Sequence, residues 1–279
     1  MRWTIGGRSA DLDDMRGGGG GFGAMPKLGC GGFVVLLLLS LIFKRDFFSM
    51  VTGSSGTPAG PVQGAPPPTS PQEETQIKLV SAMVDDVQTT WDKIFAASNQ
   101  QYSHARVGIF TNTVRSGCGF AESAMGPFYC PADQRVYIDL GFYNELRDRF
   151  HAAGDFAQAY VLAHEIGHHV QNVLGISEKV QRAQQSDSSS ANDLSVRLEL
   201  QADCFAGVWA HSTQGRGLEE GDIDEALTAA SAVGDDRIQQ QTTGEVNPET
   251  WTHGSAADRS RWFHTGFESG DIDSCDTFK

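Results

Sequence analysis

Residues 161–172 read VLAHEIGHHVQN, and this stretch limits the fold more than any other. His164 and His168 stand four residues apart, so on an α-helix they project from one face, one turn apart. Two imidazole nitrogens placed this way can both reach a single Zn²⁺ at about 2.0–2.1 Å. Glu165 follows the first histidine and points toward the same cavity. There it would act as general base, taking a proton from a metal-activated water and passing it to a leaving amine. Tyr160, Val161, Ile166 and Val170 supply an apolar face and Gly167 permits close packing, so the helix belongs in the interior. A catalytic zinc takes three protein ligands and keeps one position open. A second element must therefore lie opposite this helix and bring the third ligand.

Residues 197–207, RLELQADCFAG, are the best source. Glu199 and Asp203 are again four apart. Glu199 is the expected third metal ligand, and Asp203 the acceptor that fixes the tautomer of a ligand histidine. Acidic side chains on a helix more often face solvent. Here Leu198, Leu200, Phe205, Val208 and Trp209 surround the pair and argue for the buried side. Ala202, Ala206 and Gly207 would let this helix approach the first one closely.

The flanking sequence places both helices in an α+β domain, mostly helical with a small β-sheet. Ile77, Val80, Val84, Val87, Trp91, Ile94 and Phe95 recur at gaps of three and four, which predicts an amphipathic helix over 73–97. Residues 106–115 and 135–140 are short and β-rich, and 135–140 alternates as a strand should. That strand could hold an extended peptide by backbone pairing. The motif helix spans 155–173, with Gly175 as a stop signal. The polar stretch 177–193 reads as a mobile segment, either a lid or a solvated loop. The Glu199 helix runs from about 193 to 211. Asp222 is placed to cap a helix ending near Gly234, and Ser255 with Asp258 resembles a capping box.

The first part of the chain has a different composition. Residues 17–21 are all glycine, 28–43 (LGCGGFVVLLLLSLIF) carry no charge, and 52–71 are rich in Gly, Ser, Thr and Pro. We read 1–27 as a Gly-rich cytoplasmic leader, 28–43 as a single transmembrane helix, 44–72 as a flexible linker and 73–279 as the zinc-site domain. Sixteen apolar residues fall short of the roughly 20 a span needs, and snorkelling by Lys27, Lys44 and Arg45 would extend the reach. Lys44, Arg45 and Asp46 stand where a signal peptide would show a small-residue cleavage site. Arg2, Arg8, Arg16 and Lys27 precede the run, which predicts the N-terminus in the cytoplasm and the domain on the extracytoplasmic side. The formal net charge of −14 repels phosphate backbones, so no nucleic-acid partner is expected.

In an oxidising compartment the four cysteines of the domain, Cys118, Cys130, Cys204 and Cys275, would form two disulfides. Three pairings are open. The turn-rich loop between Cys118 and Cys130 favours that pair, and Cys204 with Cys275 would then tie the last segment to the core. Four free buried thiols are the alternative. No pair has CxxC spacing, which disfavours zinc binding by cysteine.

Several blocks together resemble a known family, the putative neutral zinc metallopeptidases. They are HEIGHHVQ at 164–171, LQADCFAGVW at 200–209, GCGFAESAMGPFYCPADQRVYIDLGFY at 117–143 and WTHGSAADRSRWFHTGF at 251–267. The opening MRW, the glycine-rich stretch and one membrane anchor also fit. The resemblance implies a zincin-like, gluzincin-like domain that holds one zinc ion and acts on a peptide or protein. Hydrolysis also needs an oxyanion stabiliser, for which His253, Tyr129 and Tyr137 are candidates. His169 points to another helix face and reads as structural. A zinc-binding scaffold or degenerate peptidase without proteolytic activity is the alternative, as is a zinc hydrolase of non-peptide amides.

Overall fold

The structure, a computed structural model, describes residues 1–17, 69–148 and 154–279. Residues Met1–Arg16 and Pro66–Lys279 form one compact unit. The predicted amphipathic stretch is helix α1 (Pro71–Ala97), with Ile77, Val80, Val84, Val87 and Trp91 all buried. Ser70 starts it with a reciprocal capping box. Its hydroxyl accepts from the Glu73 amide at 3.2 Å, and its own amide donates to the Glu73 carboxylate at 2.8 Å.

The described residues hold six strands: β1 (Leu12–Asp14), β2 (Arg106–Phe110), β3 (Thr113–Ser116), β4 (Gly119–Glu122), β5 (Phe128–Cys130) and β6 (Arg135–Asp139); β2, β3 and β6 fall on the expected β-rich stretches, and β1, β4 and β5 do not. The main sheet has the order β1-β2-β6-β5. Its first three strands are parallel, with Leu12 opposite Val107 and Val107 opposite Val136. β5 runs antiparallel to β6, Tyr129 facing Val136. β3 and β4 make a separate antiparallel ribbon. Over Arg135–Tyr137, β6 therefore uses both of its hydrogen-bonding edges inside the sheet and has no edge for an extended peptide. The outer edge on that side belongs to β5.

Seven further helices complete the described chain: α2 (Phe142–Asp148), α3 (Asp155–Val173), α4 (Ile176–Ser186), α5 (Ala191–Ser212), α6 (Asp222–Ala232), α7 (Asp235–Thr242) and α8 (Ala256–Ser269). The stretch expected as a lid or solvated loop is instead α4 and a 3₁₀ turn at Ser188–Ser190. Its residues are polar but include good helix formers such as Glu178, Lys179, Gln181, Arg182 and Ala183, and α4 buries Val180 alone. The polarity belongs to a helix face open to solvent. Asp222 does not cap α6 as expected. The helix starts after Gly221, which has no side-chain cap, and the Asp222 carboxylate accepts from the Glu219 amide at 2.6 Å. Ser255 does cap α8, accepting from the Asp258 amide at 3.0 Å.

α3 and α5 cross with their backbones close to touching. A methyl group at Gly167 would come within 3.1 Å of the Ala202 carbonyl oxygen. Gly207 does not serve this crossing but faces α8, where a methyl would lie 2.0 Å from the Phe263 carbonyl oxygen. Stacked Phe156 and Trp209, and Trp91 edge-on to Phe205, fill the space between α1, α3 and α5. Cys118 with Cys130 and Cys204 with Cys275 lie at disulfide distance.

The expectation of a preceding transmembrane helix needs correction. Among the described residues no helix is long and apolar enough to cross a membrane, and residues 28–43 lie outside the described residues. The single-pass localisation is corrected with it. It put residues 1–27 and the domain on opposite sides of a bilayer, whereas β1 hydrogen-bonds in register with β2 of the domain. The Met1 ammonium also donates to Asp155 at 3.1 Å and Asp222 at 2.8 Å. A strand cannot pair through a hydrocarbon layer with a sheet on its far side.

Candidate metal centre

α3 presents His164 and His168 one turn apart, their rings nearly perpendicular at 88° with centroids 4.8 Å apart. α5 crosses opposite them and brings in Glu199. Its carboxylate lies 3.2 Å from His164 Nε2 and 3.4 Å from His168 Nε2. One donor atom from each of the three residues falls within 4.8 Å of the others.

The other imidazole nitrogens are engaged. His164 Nδ1 meets Asp203 Oδ1 at 2.9 Å, and His168 Nδ1 meets the Gln171 side-chain oxygen at 2.9 Å. Both Nε2 atoms are thus turned toward Glu199. Asp203 is fully buried and held from three sides. Arg259 of α8 grips it through Nε at 2.8 Å and Nη2 at 3.0 Å, and the Tyr160 hydroxyl donates to it. Two imidazoles and a carboxylate converging with their far sides anchored is a donor set that fits zinc.

The electrostatics follow from burial and proximity. Burial alone would lower His164, but the Asp203 carboxylate overrides it and pushes the imidazole up to about 10. Burial likewise opposes a charge on His168, and Glu199 raises it. Burial would raise Glu199, yet the adjoining His168 and His164 hold it well below the usual carboxylate range. Glu165 sits buried beside both histidines, and desolvation raises its carboxyl above the ordinary value. A carboxyl raised in this way is a better proton acceptor, as a general base requires.

The three oxyanion candidates separate in space. The Tyr137 hydroxyl donates to Asp133 at 2.7 Å and its ring stacks on Phe128 in a cluster with Phe110 and Val114. The Tyr129 hydroxyl lies 3.1 Å from His169 Nδ1, while His169 Nε2 meets the Ser103 carbonyl at 2.6 Å. His253 precedes α8, with its amide and the Thr252 and Gly254 amides all donating to Asp235. His253 is exposed; partial desolvation opposes its charge, while Asp235 and Glu199 raise it, and His253 in turn lowers Glu199.

Reading the sequence missed four partners: Tyr160, Gln171, Asp235 and Arg259. Tyr160 lies four residues before His164 and Gln171 three after His168, so helical spacing could have found both. Arg259 is 56 residues from Asp203 and no local pattern points to it. A second acidic grouping, Asp155, Asp222 and Glu225, holds carboxylates only. The Met1 ammonium already supplies a cation to two of them.

A family model described as "Putative neutral zinc metallopeptidase" matches residues 1–278. The chain is 44% identical over 288 aligned residues to the Escherichia coli (strain K12) protein named Uncharacterized protein YpfJ, covering 100% of this chain and 99% of that protein. It is 46% identical over 211 residues to Uncharacterized protein Mb2605 of Mycobacterium bovis, covering 71% of this chain and 69% of that protein. No solved structure matches. The family description implies zinc as the metal and peptides or proteins as substrates. With its motif helix, its crossing helix and nearly its whole length within the match, the chain belongs to the putative neutral zinc metallopeptidase family.

Proposed function

We propose that this chain is a peptidase with one zinc ion, held by His164, His168 and Glu199, and with Glu165 as general base. One observation carries the reading. Both imidazole Nε2 atoms and the Glu199 carboxylate converge, while Asp203 and Gln171 hold the Nδ1 atoms away. Bound zinc would supply a Lewis acid that polarises a peptide carbonyl and lowers the pKa of water.

The protein's own groups do the rest. Glu165, raised by burial, takes the proton from the attacking water and returns it to the leaving amine. His253, steadied by Asp235 and electrostatically coupled to Glu199, donates to the developing oxyanion. Asp203 holds His164 in the tautomer that leaves Nε2 free for the metal, and Arg259 and Tyr160 keep Asp203 in place. β5 packs on α3 through Tyr129 and His169, whose rings are 5.5 Å apart. Its outer edge, unpaired among the described residues, offers an extended substrate a strand edge next to the motif helix.

Glu165→Gln tests the reading. The variant should keep stoichiometric zinc and lose cleavage of casein, and chelator should abolish cleavage by the parent. Full hydrolysis by the variant would end the mechanism. A zinc-loaded parent that cuts neither casein nor a cell-wall peptide would favour the scaffold, and one that cuts only the latter a specialised hydrolase.

A further inference from the structure

His168 is oriented differently from His164. A carboxylate holds His164, but a chain of neutral amides holds His168. Gln171, fully buried, accepts at its side-chain oxygen from His168 Nδ1 at 2.9 Å. Its Nε2 donates to the Leu198 carbonyl at 2.7 Å and to the Gln201 side-chain oxygen at 3.1 Å. Gln201, also buried, donates through its own Nε2 to the Cys275 carbonyl at 2.9 Å.

A backbone carbonyl can only accept. The Leu198 carbonyl therefore fixes which end of the Gln171 amide carries the NH₂, and the Cys275 carbonyl does the same for Gln201. Flipping Gln171 would set its oxygen against the Leu198 oxygen and its NH₂ against His168. In the bonded arrangement His168 must present N–H at Nδ1 and keep its lone pair at Nε2. Leu198 adjoins Glu199, so the same amide locks α3 to α5 beside the other metal-facing group.

Cys275 is itself anchored. It lies at disulfide distance from Cys204 of α5, and two residues on Thr277 donates to the Arg197 carbonyl at 2.7 Å. The C-terminal segment thus meets α5 at Arg197, Gln201 and Cys204, which share one helix face.

We propose that Gln171 and Gln201 are positioning residues for His168, and that the C-terminal segment around Cys275 is through them a working part of the metal centre. The inference rests on the zinc reading above and adds to it what selects the ligand tautomer. Among the described residues Gln201 hydrogen-bonds to no metal-facing side chain, only to Gln171 and the Cys275 carbonyl, yet its loss should reach the metal.

The test uses the full chain with Zn²⁺ in competition with a chelator of known affinity, and Co²⁺ as a visible probe. Gln171→Met and Gln201→Met keep most of the side-chain volume and remove the amides. Gln171→Met should weaken zinc binding by about 10–100-fold and alter the visible Co²⁺ spectrum. Gln201→Met should shift both in the same direction by less. Urea unfolding of each metal-free variant shows whether it folds; a variant damaged only in its packing would keep the parental Co²⁺ spectrum. Parental affinity and spectrum in both variants would overturn the proposal. An effect of Gln171→Met without one from Gln201→Met would overturn the role of the C-terminal segment. His168→Ala is the separate control: if it binds zinc as the parent does, the metal centre itself is misassigned, whatever the amide variants show.

Discussion

Replacing Arg259 with Met would leave a carboxylate inside the protein without its guanidinium. Arg259 is 3% exposed and Asp203 0%, and two N–H groups bind the carboxylate at 2.8 and 3.0 Å. Removing one member of a buried pair costs about 3–5 kcal/mol, because the remaining charge stays desolvated. Tyr160 and His164 still contact Asp203, which places the expected loss at the lower end. A unit of roughly 150–250 residues loses about 2–4 °C per kcal/mol, so a loss near the lower end, about 3 kcal/mol, should bring the melting temperature down by about 6–12 °C. Urea unfolding of the metal-free protein, with cysteine pairs left intact, measures the free energy directly. Adding Asp203→Leu removes the stranded charge, so the double variant should be less damaged than the two single losses together, by about 1 kcal/mol or more. An Arg259→Met protein within about 0.5 kcal/mol of the parent, the range of ordinary surface changes, would refute the argument. Strict additivity of the two substitutions would refute it as well.

Gly207→Ala would set a methyl 2.0 Å from the Phe263 carbonyl oxygen and 2.7 Å from the Phe267 nitrogen. α8 would have to move away, at a cost of about 1–3 kcal/mol, whereas Gly6→Ala, with nothing within 4 Å, should melt as the parent does. Equal melting temperatures for the two would contradict the close helix crossing. His164, raised to about 10, carries a proton at neutral pH in the metal-free protein, and zinc must displace it. Zinc affinity should therefore climb as pH rises from about 6 to 8, with proton release on binding; a flat competition titration would count against His164 as a ligand. His253→Ala should lower kcat by about 10²–10³-fold while zinc stays bound, and an unchanged kcat would remove it from the reaction.

Local periodicity carried much of the fold. Apolar residues at three- and four-residue gaps announce α1 and the motif helix whatever lies around them, since the pattern follows from 3.6 residues per turn. The Ser255 cap rests on a contact three residues away, whereas Asp222, expected as a cap, is not one. The pairing of His164 with His168 is local in the same sense, which is why the motif was legible. Composition misled where it stood in for structure. Polar α4 read as a loop because a solvated helix face and a loop share residue types. The uncharged run at 28–43 read as an anchor although it fell short of a span, and nothing in its own composition could show that Leu12 to Asp14 pair with the domain's sheet.

What the sequence by itself determined are features set within one or two turns: helix faces, the Ser255 cap, and the spacing of the motif histidines. Only the tertiary structure decided which edges of the sheet stay open, that Gly207 serves α8 rather than α3, and that Arg259 and Cys275, distant in sequence, meet Asp203 and Gln201 behind the candidate metal centre. Those contacts join residues 56 and 74 positions apart. Their partners are chosen by burial, because a carboxylate or amide removed from water must find a donor or acceptor wherever the packed helices bring one.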